Sequence, residues 1–213
     1  MTVEDKWANR LSMLRNLFLA IFLFALALPA LFRAIGSSME EGFMLVFPER
    51  VMKGDIANVD FLHLYGPGSL HLLSLWMRVF GVNLTSERSF GLLQHLLIVI
   101  GLMVLCRPWG KKLSTLVGLF SLIFVFTPIG LQALAWSGGV GIALWSVIFV
   151  IRAVHQSAQQ INSRNSWVIA GLLAGLALTF RPDLALALLL VLAWALWKRP
   201  RRILAQCASG LVL

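Results

Sequence analysis

Residues 37–67 read SSMEEGFMLVFPERVMKGDIANVDFLHLYGP. The stretch decides the fold because of what flanks it. One long apolar run precedes it and further apolar runs follow, while five of the nine carboxylates of the chain, Glu40, Glu41, Glu49, Asp55 and Asp60, fall inside it. A polar loop set among apolar runs long enough to cross a bilayer is the pattern of a polytopic membrane protein.

The composition agrees. With 59% hydrophobic and 13% charged residues and a mean hydropathy of +0.86, the chain departs from an ordinary soluble domain and from a disordered segment. A net charge of +9 could address nucleic acid, but the basic residues lie between apolar runs, where they act as topology signals, so nucleic acid is not an expected partner. Cys106 and Cys207 both fall toward the cytoplasmic side, and no disulfide is expected.

The apolar runs predict spans at about 17–35, 90–106, 113–129, 133–151, 167–180 and 184–197, with a seventh beginning at 203 and ending with the chain at 213. The expected fold is all-α: a single transmembrane bundle over residues 1–213, with six full spans, the start of a seventh and an outer loop at 36–89. About ten apolar residues cannot cross a bilayer that needs about twenty, so the chain reads as truncated or as the front part of a longer protein. A cleavable signal peptide is the alternative reading of the first run, since Ala25-Leu26-Ala27 resembles a cleavage site; the run nevertheless continues to residue 35.

Orientation follows from counting. With the N-terminus in the cytoplasm, inner segments carry twelve of the eighteen Lys and Arg, and outer segments carry seven of the nine carboxylates. The loop at 36–89 is then extracytoplasmic. Within it, Phe43, Val46, Phe47, Arg50 and Val51 recur at helical spacing over 39–53, with Gly54 where a helix would end. Leu70, Leu73, Trp76, Met77 and Phe80 do the same over 69–80, and both pieces read as helices lying on the membrane surface. Asn83-Leu84-Thr85 is an N-glycosylation sequon on the outer side.

Inside the spans, Gln94 and His95 need polar partners and are expected to face the bundle, and Gly138, Gly139 and Gly141 predict close helix contacts. The runs 167–180 and 184–197 are short and are joined by Arg181-Pro182-Asp183. With Trp167 and Trp197 anchoring their inner ends, this turn either lines a hydrated cavity or forms an interfacial hairpin from which Arg181 reaches the headgroups.

The carboxylate pair Glu40-Glu41 heads the first loop helix, where a partly buried carboxylate can serve as a general base. Neighbours on a helix point about 100° apart, so one could face an acceptor while the other holds structure or substrate. Charges that keep the loop in water and fix the helix start would leave the same pattern. No His, Cys or Asp cluster has a spacing that demands a metal, and no cofactor is expected.

Residues 40–73, EEGFMLVFPERVMKGDIANVDFLHLYGPGSLHLL, resemble the first extracytoplasmic loop of the GT-C superfamily of membrane glycosyltransferases. The likeness is to the branch with the protein O-mannosyltransferases, the lipid A aminoarabinose transferases and the galacturonosyl transferases of lipopolysaccharide. Glu40-Glu41 stands where that loop carries an Asp-Glu pair, Lys53-Gly54-Asp55 at the end of its surface helix, and His63-Leu64-Tyr65-Gly66-Pro67 at its Pro stretch. Residues 171–190, GLLAGLALTFRPDLALALLL, resemble the family's span that ends in a basic residue and Pro. Glu40 departs from the Asp usual there.

The resemblance implies an inverting sugar transfer from a polyprenyl-phosphate donor to a glycan, lipid or protein acceptor, at the outer face of a bacterial inner membrane. Glu40, with Glu41 beside it, would be the catalytic carboxylate. Arg181 and Lys53 would be candidates for the cation at the donor phosphate, and His63, Tyr65 and Asp60 for substrate contacts. Two other classes fit a polytopic chain: a transporter or channel subunit, and a non-catalytic membrane assembly subunit.

Overall fold

The structure is a computed structural model that describes residues 24–26, 28–33, 38–126, 130–197 and 207–209. The chain divides into two units, Met1–Ile35 and Gly36–Leu213. In the first, residues 24–26 and 28–33 are helical; the rest of the expected span at 17–35 lies outside the described residues.

The second unit is built of helices joined by turns and loops, with no strand among the described residues. Its helices are α1 (Ser38–Met52), α2 (Pro67–Phe80), α3 (Leu84–Cys106), α4 (Lys111–Phe126), α5 (Ala135–Ala158), α6 (Arg164–Phe180) and α7 (Ala185–Leu196). Short 3-10 turns, Arg107–Trp109 and Pro182–Leu184, lead into α4 and α7. Of the expected seventh span at 203–213, residues 207–209 are described and helical.

The two loop helices form where the apolar spacing puts them. α1 stops as Gly54 turns to φ 103°, a conformation that a Cβ disfavours. Leu70, Leu73 and Met77 of α2 are buried against Met44 of α1 and against Ala133 and Leu134, and the Ser74 hydroxyl donates to Pro48 O at 3.1 Å. α3 begins six residues earlier than its apolar run suggests because Asn83 caps it, its side-chain oxygen accepting from Ser86 N at 2.8 Å. The Asn83 side chain of the sequon is thus engaged in closing a helix.

α5 and α6 form the most extensive helix pair, followed by α3 with α5 and α3 with α4. Small residues set the spacing. A Cβ on Gly138 would stand 2.5 Å from the Phe180 ring, and one on Gly118 would stand 2.6 Å from Met103 Sδ. Gln94 and His95 face inward as expected, both almost completely buried.

Trp167 is a correction. It is fully buried with Val150, Ala153, Ala170 and Ala195, because alanines on three helices leave a slot that an indole fills, and so it is not an outward interfacial anchor.

Among the described residues, two helices are long and apolar enough to cross a membrane: Leu84–Trp109, which is α3 with its 3-10 extension, and α5. Less than half of each is buried, whereas a core helix of a soluble protein would be mostly covered. α6 and the stretch Pro182–Leu196 are apolar but shorter. On α4 the usual pattern is reversed: Ser114, Gly118 and Ser121 face the protein, while Leu116, Leu119, Phe120 and Phe124 are exposed.

Candidate functional site

The site lies at the end of the bundle where α3 and α5 begin and α6 ends. Three contacts bring these ends together. Glu87 Oε1 accepts from Ala133 N at 2.6 Å, Gly91 lies against the Leu131 and Gln132 backbone, and Phe180 packs on Gly138.

The loop after α1 is held to the end of α6 by glycine. Gly66 N donates to Phe180 O at 3.0 Å, and a Cβ there would fall 2.1 Å from Thr179 O. On Gly68 it would fall 2.2 Å from Thr179 Oγ1. Only a chain without side chains at both positions can come this close. The consequence is that the His63-Leu64-Tyr65 segment is set directly beside Arg181.

Between α1 and this segment is a cavity of about 160 Å³ lined by Glu40, Phe43, Met44, Phe47, His63 and Tyr65, together with Met39, Leu62 and Leu64. Its aromatic wall continues from ring to ring. Phe43 stacks on Phe47 at 5.0 Å, His63 meets Phe47 edge-on at 5.9 Å, and Tyr65 meets His63 edge-on at 5.7 Å. Beyond Tyr65, the Arg181 guanidinium stands 5.5 Å from the ring centre.

The two neighbouring carboxylates have separate environments. Glu41 is buried and gripped by Arg88, whose Nε donates to Oε1 at 2.6 Å and Nη2 to Oε2 at 3.0 Å. Glu40 is half-buried on the cavity wall and has no ion-pair or hydrogen-bond partner among the described residues. A carboxylate with no fixed cation beside it is available to accept a proton.

His63 is buried, and burial pushes its imidazole below the ordinary value of 6.5, partly offset by a hydrogen bond with the Gly66 backbone. Its Nε2 has no partner among the described residues. Arg181 is held on three sides. Nε and Nη2 donate to the Asp183 carboxylate at 2.7 and 2.6 Å, the Cβ and Cγ stem lies on Gly139, and the cationic face covers Tyr65. Nη1 makes no hydrogen bond among the described residues and remains available.

The cavity thus gathers Glu40, His63 and Tyr65, with Arg181 adjoining through Tyr65. Lys53 and Asp60 are elsewhere. Lys53 pairs with Glu49 one turn back on an exposed face of α1, and the Asp60 carboxylate accepts from Ile56 N to close its own turn. Sequence reasoning did not identify Arg88, Glu87 or Thr179, and named Asp183 only as part of the turn with Arg181 and not as its partner. Glu87 and Arg88 gave one signal, two adjacent charges at the head of a long apolar run, which inside a helix bundle need partners.

Among the described residues no three His, Cys, Asp or Glu side chains are grouped so as to hold a metal ion. Comparison of the chain with protein-family models, with curated proteins and with solved structures gives no match.

Proposed function

We propose that the chain is a membrane glycosyltransferase of the GT-C type, moving a sugar from a polyprenyl-phosphate donor to an acceptor on the extracytoplasmic face with inversion. The single observation that carries this reading is the uncommitted carboxylate of Glu40 in the same small cavity as His63 and Tyr65, with Arg181 adjoining. A base within a sugar-sized space and a cation close by are what such a transfer requires.

In this mechanism an acceptor hydroxyl or amine gives its proton to Glu40 as its lone pair attacks the anomeric carbon. The anomeric C–O bond to the lipid phosphate breaks, and the phosphate leaves with the electron pair. Arg181 meets the developing charge through Nη1, while Asp183 and Tyr65 keep the guanidinium in place. Glu41 supports α1 through Arg88 and takes no part in the proton transfer.

The topology belongs to the same proposal: six full spans and part of a seventh, the N-terminus in the cytoplasm of a bacterial inner membrane, and the site on the outer side. The exposed large apolar side chains along α3, α4 and α7 support it, since such rows on a protein surface mark a site of contact with a membrane or a partner. The test is sugar transfer in membranes containing the chain, with a panel of labelled polyprenyl-phosphate sugars. The reading requires transfer from at least one donor and its loss in Glu40→Gln.

One observation favours transport instead. Both amide atoms of Gln94, His95 Nε2 and Ser137 Oγ are buried without partners among the described residues, as along a polar path. Solute flux in vesicles, unaffected by Glu40→Gln, would support that reading over transfer. An assembly subunit would show neither transfer nor flux.

A further inference from the structure

The segment after α1, residues 55–65, carries large aliphatic side chains on its exposed side, beside the buried Phe61 and His63. Its polar groups, exposed at Asn58 and Asp60, are nevertheless bonded within the protein: Arg50 Nε donates to Asp55 at 2.7 Å, Ile56 N donates to the Asp60 carboxylate, and His63 N donates to Asn58 Oδ1. Its large aliphatic side chains point away from the protein, with Ile56 61%, Val59 75%, Leu62 75% and Leu64 82% exposed. A loop in water presents the opposite pattern. Part of the backbone is also satisfied internally, since the amides of Asp55, Asn58, Val59 and Asp60, and those of Gly54 and Gly66 at its two ends, are bonded within the protein as well. Each amide bonded in this way lowers the cost of leaving water.

The helices supply a ruler for its depth. Gly66 is bonded to Phe180, and the Phe180 ring and the Gln94 amide meet at Gly138, 2.5 and 2.7 Å from where a Cβ would stand. The end of the loop therefore lies within one phenylalanine side-chain length of Gln94. The apolar run of α3 begins at Phe90, four residues or about 6 Å earlier, so the loop docks beside the first turns of that run. Interfacial segments bury their apolar side about 5–10 Å deep, at the boundary of headgroups and acyl chains.

We propose that residues 56–64 are a membrane-contacting wedge, with Ile56, Val59, Leu62 and Leu64 among the acyl chains of the leaflet. The partner of this surface is the lipid bilayer. Because Leu62 and Leu64 also line the Glu40 cavity, the wedge sets that cavity beside the acyl chains, where a ligand carried in the bilayer reaches it without crossing water. The proposal rests on α3 spanning the membrane and is independent of the transferase chemistry.

The test places single cysteines by Leu64→Cys, Leu119→Cys and Lys53→Cys in the full chain with Cys106 and Cys207 replaced by Ala. Each variant in its native membrane is reacted with a charged maleimide, and a fluorophore on the Leu64→Cys variant is then exposed to brominated lipids in vesicles. A wedge makes the thiol at position 64 react about tenfold slower or more than that at the exposed position 53, because apolar surroundings disfavour the thiolate. It also makes the position-119 thiol, on the outward face of α4, equally slow, and lets brominated lipid quench the fluorophore. Fast reaction at 64 with protection at 119 overturns the wedge, and slow reaction without quenching overturns it in favour of a covering protein. Fast reaction at both 64 and 119 rejects the membrane span on which it rests.

Discussion

The guanidinium carbon of Arg181 lies 5.5 Å from the centre of the Tyr65 ring, joining the loop after α1 to the turn after α6 at the edge of the Glu40 cavity. Such a contact is worth about 0.5–2 kcal/mol, or roughly a 2- to 30-fold change in an equilibrium. If Arg181 holds the donor phosphate, Tyr65→Leu raises KM for donor by that factor while Tyr65→Phe, which keeps the ring face, stays near the native value. Equal KM for the two variants removes Arg181 and Tyr65 as a unit from donor binding.

Glu40 and Glu41 are adjacent in sequence and should separate activity from stability. Glu40→Gln is expected to lower transfer by about 10²–10⁴, the worth of a general base, and to leave stability within about 0.5 kcal/mol. Glu41→Gln leaves the buried Arg88 without its bidentate partner and should cost about 3–5 kcal/mol. Changing both Glu41 and Arg88 to Met recovers part of that loss. Thermal unfolding in detergent beside a transfer assay reads both quantities, and matching melting curves for the two single variants reject the division of roles.

Much of the helical layout was legible from periodicity, and the departures have local causes. Asn83 reads as a sequon, yet its oxygen closes the first turn of α3 and so moves the helix start outward from the apolar run. Trp167 reads as an interfacial residue because an indole is amphipathic; the slot made by Ala153, Ala170 and Ala195 comes from three separate helices. The residue types of the candidate site, Glu40, His63, Tyr65 and Arg181, were legible, but which carboxylate of the pair stays free of Arg88 was not. That side chain reaches Glu41 from 47 positions along the chain, and no local pattern encodes the contact. Of six full spans expected, two helices have the length among the described residues, and α6 stops short because Pro182 follows directly on its last residues.

Gly66 and Gly68 make a paired prediction. A methyl group at Gly66 meets the Thr179 carbonyl oxygen, part of the backbone of α6, whereas one at Gly68 meets the Thr179 hydroxyl. Each alanine should destabilise by about 1–3 kcal/mol through overpacking. Thr179→Ala removes the nearest atom facing Gly68 and should restore part of the stability of Gly68→Ala, and none of that of Gly66→Ala. Unfolding midpoints of the singles and doubles measure this, and rescue of both or of neither places the loop differently on α6.

His63 gives the pH dependence its sign. Burial between Phe47 and Tyr65 holds its native value below 6.5, so on lowering the pH the unfolded chain takes up this proton before the folded one does. The contribution of His63 to stability is therefore fully present above about pH 6.5 and is lost as pH falls from there through the lowered native value. His63→Gln removes the titrating group while keeping a polar side chain of similar reach. The measurement is the unfolding midpoint of each protein between about pH 7.5 and pH 5. The native protein should lose stability more steeply than the variant below pH 6.5 and in parallel with it above. A difference that stays constant across the whole range would mean that His63 titrates as it does in water, and hence that the wall between α1 and Tyr65 is open to solvent.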